Sequence, residues 1–152
     1  MHVWGTDIRE VFFDEIVFPN LQRLLLSGCY ELRQIGWLWG LPNPRDLDIS
    51  SCVNVEELPC LEKLISLDTL DVQQCEKLKR VKGFGQLTSL KALIVRGYRE
   101  MQELPGVECL TSLQELRVSG CEKMKSILIF LINIKKSEWI KMLHVCWICE
   151  FH

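Results

Sequence analysis

The sequence predicts a solenoid of stacked coils built on a parallel β-sheet, and three observations carry that prediction. First, one step of 23 residues links Cys29, Cys52, Cys75, Tyr98 and Cys121. Second, the same step links Leu24, Leu47, Leu70, Leu93 and Leu116, and again Leu26, Ile49, Val72, Val95 and Val118. Third, the five copies run in register without an insertion. Each copy reads L-x-x-L-x-L-x-x-C-x-x-L-x-x-I-x-x-L-x-x-L, as in Leu67, Leu70, Val72, Cys75, Leu78, Val81, Phe84 and Leu87. Of the forty apolar positions this template asks for, 38 are apolar, and Pro44 and Asn133 are the exceptions. A chain that is 48% hydrophobic would supply about nineteen by chance.

The spacing assigns each part of a copy. L-x-L is a period of two, which a strand with one buried face requires, and β-branched residues at its second site suit a pleated surface. Beyond the cysteine, apolar residues recur every third position, which fits an extended or 3₁₀-like return path better than the mixed three-and-four spacing of an α-helix. A single coil cannot bury its own apolar side, so coils stack. The expected architecture is an α/β leucine-rich-repeat solenoid, with a parallel β-sheet on the concave face and irregular or 3₁₀ return segments on the convex face. Five strands at about 4.8 Å give a sheet about 20–25 Å long. A coiled coil is excluded by the 23-residue period and by Pro42, Pro44, Pro59 and Pro105. No helical pattern of the length a doubly wound sheet needs lies between the strands.

The repeats fill residues 18–130. Residues 1–17 read as a degenerate partial repeat, with Val3 in strand phase and Thr6 in cysteine phase but Arg9 at an apolar site. From 131 to 152 the period fails, because Asn133, Lys136 and Lys141 fall where leucines belong. That tail is apolar and reads as an improvised cap or a truncation artefact. The longest apolar run of the chain, Ile127–Ile134, is far shorter than the roughly 20 residues a membrane span needs. With 18 Lys+Arg against 20 Asp+Glu, a net charge of −2 gives no reason to expect nucleic acid. No signal-like start and no N-x-Ser/Thr sequon is present, so the expected setting is cytoplasmic, with no membrane partner.

Candidate chemistry is sparse. Stacked cysteines could suggest metal or disulfides, but Tyr98 substitutes for one of them, so buried small side chains closing the turn after each strand are the better reading. Cys60 and Cys109 have no partner spacing and are expected to pack. His144, Cys146, Cys149 and His152 offer zinc-type ligands, yet within nine residues they can hardly wrap a tetrahedron. A thioredoxin-like use of the same cysteines lacks its strand and helix. No phosphate loop, nucleophile elbow or metalloprotease motif occurs, and Glu56-Glu57 reads as a solvated edge of the return path. The expectation is no catalysis, no cofactor, no metal and no small-molecule ligand.

What remains is the outward side of the strands. The expected protein-binding face comprises Arg23, Leu25 and Ser27, then Asp46, Asp48 and Ser50, then Thr69, Asp71 and Gln73. Ala92, Ile94 and Arg96 follow, then Glu115, Arg117 and Ser119. The buried sites repeat while these vary freely, as a fixed scaffold presenting a mosaic would require. Asp46, Asp48 and Asp71 form an acidic centre, and Arg96 with Arg117 a basic end.

Two strings carry a resemblance. Leu64-Ile65-Ser66-Leu67-Asp68-Thr69-Leu70-Asp71-Val72-Gln73-Gln74-Cys75-Glu76-Lys77-Leu78-Lys79 is one, and Leu110-Thr111-Ser112-Leu113-Gln114-Glu115-Leu116-Arg117-Val118-Ser119-Gly120-Cys121-Glu122-Lys123-Met124-Lys125 is the other. They resemble the repeats of plant nucleotide-binding leucine-rich-repeat disease-resistance proteins, most closely the flax-rust type that carries a TIR domain. Phe18-Pro19-Asn20-Leu21, Glu57-Leu58-Pro59 and Glu103-Leu104-Pro105 match as well, so the likeness covers about residues 18–127. It implies a C-terminal sensor that binds a pathogen effector or other domains of the receptor and controls defence signalling. Neither a TIR nor a nucleotide-binding segment lies in this chain, so their chemistry is not implied. A generic interaction scaffold, such as a ubiquitin-ligase adaptor, is the alternative, and a small zinc or redox protein using the tail is a further one.

Overall fold

A computed structural model describes residues 2, 7–11, 20–36, 38, 41, 44–79, 81–98 and 104–121. Their main sheet contains β2 (Arg23–Leu25), β4 (Asp46–Asp48), β5 (Thr69–Asp71), β6 (Ala92–Arg96) and β7 (Glu115–Ser119), all parallel and in chain order. Neighbouring strands pair at the 23-residue step: Leu24, Leu47, Leu70, Leu93 and Leu116 are Cα partners in one unbroken row. The chain is therefore a parallel β-solenoid, with little helix among the described residues.

Pairing runs on past the formal strand ends. Leu26 N donates to Asp48 O at 2.7 Å, Ile49 N to Asp71 O at 2.9 Å and Val72 N to Ile94 O at 3.0 Å. Beyond each strand of the five-stranded sheet the chain turns back through a residue in the left-handed region: Gly28, Ser51, Gln74, Gly97 and Gly120, at φ between 57° and 79°. Three of the five are glycine, the residue with no Cβ penalty there.

The return path explains the spacing of three. Leu78 N donates to Cys75 O, Leu64 N to Leu61 O, Leu67 N to Leu64 O, Leu87 N to Phe84 O and Leu90 N to Leu87 O, at 2.9–3.0 Å. Each of these i→i+3 bonds joins consecutive buried positions, so the apolar period and the hydrogen-bond period coincide. Among the described residues, Phe84–Gln86 and Val107–Cys109 form 3₁₀ turns that pack against each other. Among the described residues there is no α-helix. A small second sheet pairs β1 (Glu10–Val11) with β3 (Gln34–Ile35), and Glu57 bridges Gln34 beside it.

One continuous core fills the coil interiors, from Leu24 and Leu26 through Leu47, Ile49, Leu70, Val72, Leu93 and Val95 to Leu116. Pro44, the template exception, is itself buried in the leucine slot. The described N-terminal residues, 2 and 7–11, also pair with the first repeat. His2 bridges Leu25 at the 23-residue step, but Glu10 pairs with Gln34, a step of 24. One residue fewer lies between these contacts, so Arg9, whose carbonyl accepts from Arg33 N at 2.7 Å, falls out of the strict 23-residue phase, and Ile8 is exposed.

Candidate functional site

Alternating burial along the strands sorts the side chains into an interior set and a face. In β6 the pattern from Ala92 to Arg96 alternates partly exposed with buried, so Ala92, Ile94 and Arg96 face outward while Leu93 and Val95 are interior. The register lines the outward residues into three rows across the sheet. One row is Arg23, Asp46, Thr69, Ala92 and Glu115, and the next is Leu25, Asp48, Asp71, Ile94 and Arg117. The 23-residue step continues the third through Ser27, Ser50, Gln73, Arg96 and Ser119, of which Arg96 and Ser119 are Cα partners.

Ser50 departs from expectation. It is 6% exposed, and its hydroxyl lies 2.7 Å from that of Ser27, so the pair is spent on each other rather than offered to a partner. The charges also sort differently from their sequence grouping. Arg23 Nε pairs with Asp46 at 2.8 Å, and Arg117 Nε with Glu115. The acidic centre thereby narrows to Asp48 and Asp71, which are Cα partners and form no ion pair among the described residues. Each carboxylate accepts from the backbone N–H two residues on, Ser50 N at 2.8 Å and Gln73 N at 3.0 Å. Burial raises the Asp71 carboxyl above the usual range; the Gln73 bond opposes this, Asp48 reinforces it, and Arg96 and Arg117 draw it back. The basic end narrows to Arg96, whose Nε is buried without a hydrogen-bond partner.

A row of charges just before the strands was not expected as part of the face. Asp68 is held by Lys91 at 2.7 Å and by Arg45 at 3.1 Å, one coil to each side. The Lys91 bond and then Arg45 hold its carboxyl below the usual value. Their 23-residue spacing was available in the sequence as a sign alternation. On the return side, Glu56 and Lys79 pair at 3.7 Å.

The cysteine row has a definite job. Cys52 Sγ donates to Leu26 O and Cys75 Sγ to Ile49 O, both at 3.0 Å, and Cys121 Sγ to Val95 O at 3.6 Å. Tyr98 does the same with its hydroxyl, donating to Val72 O. Each thus satisfies a strand-end carbonyl of the preceding coil, which explains how a phenol replaces a thiol. Burial pushes the Cys52 and Cys75 thiols up to about 12 and raises the Tyr98 hydroxyl, so all three are neutral donors. Cys60 is half-buried as a packing residue allows, but Cys109 is exposed, contrary to expectation, because it sits on the outer side of its 3₁₀ turn.

Among the described residues, no three His, Cys, Asp or Glu are grouped to hold a metal ion, and no helix is long and apolar enough to cross a membrane. His144, Cys146, Cys149 and His152, with the whole 131–152 tail, lie outside the described residues. Comparison with family models, with curated proteins and with solved structures gave no match.

Proposed function

We propose that this chain is a leucine-rich-repeat recognition module that binds protein on its strand face, serving as the sensor part of a plant intracellular immune receptor. The observation that carries the binding role is the contrast between rows. Interior rows hold apolar residues, the repeating thiols and the Tyr98 phenol, while the rows facing outward hold aliphatic, acidic, basic and hydroxyl side chains in no repeating order. A surface needed only for solvation has no cause to stack Asp48 on Asp71 or to leave an arginine nitrogen without an acceptor. The receptor role and its intracellular setting rest on the resemblance of the repeat strings.

Selection of binders from a random dodecapeptide display library against the full chain tests the binding role. Asp48→Lys and Arg96→Glu on the strand face are expected to abolish capture of the selected peptides. Glu56→Lys and Lys79→Glu on the return side are expected to leave it intact. The reverse pattern puts binding on the return path and overturns the reading. Sequencing the parent transcript tests the receptor role: a nucleotide-binding segment in the same reading frame supports it, and an F-box overturns it in favour of a ligase adaptor.

A further inference from the structure

Along the middle row of the face, the order is Leu25, Asp48, Asp71, Ile94 and then Arg117, one residue from each successive strand and all partly exposed. The two carboxylates at its centre differ from the other acids of the sheet. Asp46, Asp68 and Glu115 are each matched by a cation, whereas Asp48 and Asp71 are stacked on each other. Like charges directly across a strand pair are destabilising. Arg96 and Arg117 act on Asp71 from one side without an ion pair, so among the described residues these two are the acids of the sheet that no cation contacts directly, and an aliphatic side chain flanks them on either side.

We propose that this row takes an extended peptide segment of another protein, laid across the strands, with apolar residues four apart and a lysine or arginine midway between them. The proposal rests on the strand face being the binding face. Three strand steps at about 4.8 Å separate Leu25 from Ile94 by about 14 Å. An extended chain advances about 3.3 Å per residue and directs residues i, i+2 and i+4 to one side, covering about 13 Å. The peptide's outer two side chains then rest on Leu25 and Ile94. The central cation lands between β4 and β5, against Asp48 and Asp71. Each aspartate keeps its Oδ1 bond to the backbone N–H two residues on. Asp48 Oδ2 makes no hydrogen bond among the described residues, and Asp71 Oδ2 only a long one of 3.2 Å from Gln73 Nε2. These outer oxygens are the acceptors for the incoming cation. An acidic segment is rejected by the same pair.

The test is fluorescence anisotropy of the full chain with labelled synthetic peptides. Their core is leucine-threonine-lysine-threonine-leucine, or the same with glutamate in place of lysine. The lysine peptide is expected to bind at least tenfold more tightly than the glutamate peptide. The Asp48→Asn, Asp71→Asn double variant is expected to lose at least tenfold toward the lysine peptide. Asparagine retains the carbonyl acceptor that caps the strand end, and a melting temperature no lower than the parent's checks that the fold survives. Equal affinity for the two peptides, indifference to the double variant, or no binding of the lysine peptide overturns the proposal. If the display selection yields binders that depend on the strand face but carry no central cation, this proposal alone fails. If it yields no binder that depends on the strand face, the recognition reading fails with it.

Discussion

Leu26 O, Ile49 O, Val72 O and Val95 O each meet a thiol or phenol from the following coil, and this single contact shows how position sets chemistry. A thiol is reactive as its thiolate, and burial holds Cys52 and Cys75 near 12, well above pH 8. Alkylation of the native chain at pH 8, followed by peptide mass spectrometry, should label exposed Cys109 rapidly and leave Cys52 and Cys75 unlabelled until denaturant is added. Equal labelling rates would contradict the capping role. Gly106 makes a second residue-scale case: it has φ +91°, and a Cβ there would sit 2.6 Å from Gly85 N. Gly120, at φ +64°, would meet nothing closer than 3.5 Å. Gly106→Ala therefore combines a strained backbone with overlap against a neighbouring coil, while Gly120→Ala carries the strain alone, about 1 kcal/mol or somewhat more. Denaturant titration should rank Gly106→Ala as clearly the more costly; equal costs would mean that the coils do not approach so closely. The left-handed site was readable in the sequence, since Gly28, Gly97 and Gly120 share the 23-residue phase, but Ser51 and Gln74 hide it in the two middle copies.

At the scale of the element, polar side chains join coil to coil at the same step as the core. Ser51 Oγ reaches Gln74 Oε1 at 3.0 Å, Lys77 Nζ reaches Asn54 Oδ1 at 2.7 Å, and Asp68 ties Arg45 to Lys91. Asp68 has a depressed carboxyl, so its contribution to stability is present above the unfolded carboxylate value of about 3.9 and is lost as pH falls through the lower folded value. Asp68→Asn should thus melt below the parent protein at neutral pH, and the gap should close on acidification below about pH 4. A gap that persists unchanged in acid would assign the effect to something other than this ion pair. Exposed pairs of this kind are modest and screened by salt, so the gap should also shrink at high ionic strength. Strand positions and register were legible because one period governs both burial and pairing. Charge partners were not, because sign and spacing show which residues can meet but not which do: Arg117 turns to Glu115 on its own strand rather than to a neighbouring coil.

At the scale of the whole molecule, the chain divides into an interior that sets stability and an outward strand face on which the proposed recognition rests. The five-strand sheet and its interior rows followed from the repeat alone. The one-residue slip between Glu10 and Gln34 did not, because a strict 23-residue phase cannot reveal a step of 24. The narrowing of the acidic centre to Asp48 and Asp71 needed side-chain geometry. The division itself is tested most directly by denaturant titration of Leu70→Ala beside Thr69→Ala, adjacent residues of β5 on opposite sides of the sheet. Leu70 is fully buried in the central row, and its truncation should cost about 2–5 kcal/mol. Thr69 faces outward, and its truncation should cost about 0.5 kcal/mol or less. Equal losses, or a larger loss at Thr69, would contradict the register and with it the assignment of every face residue.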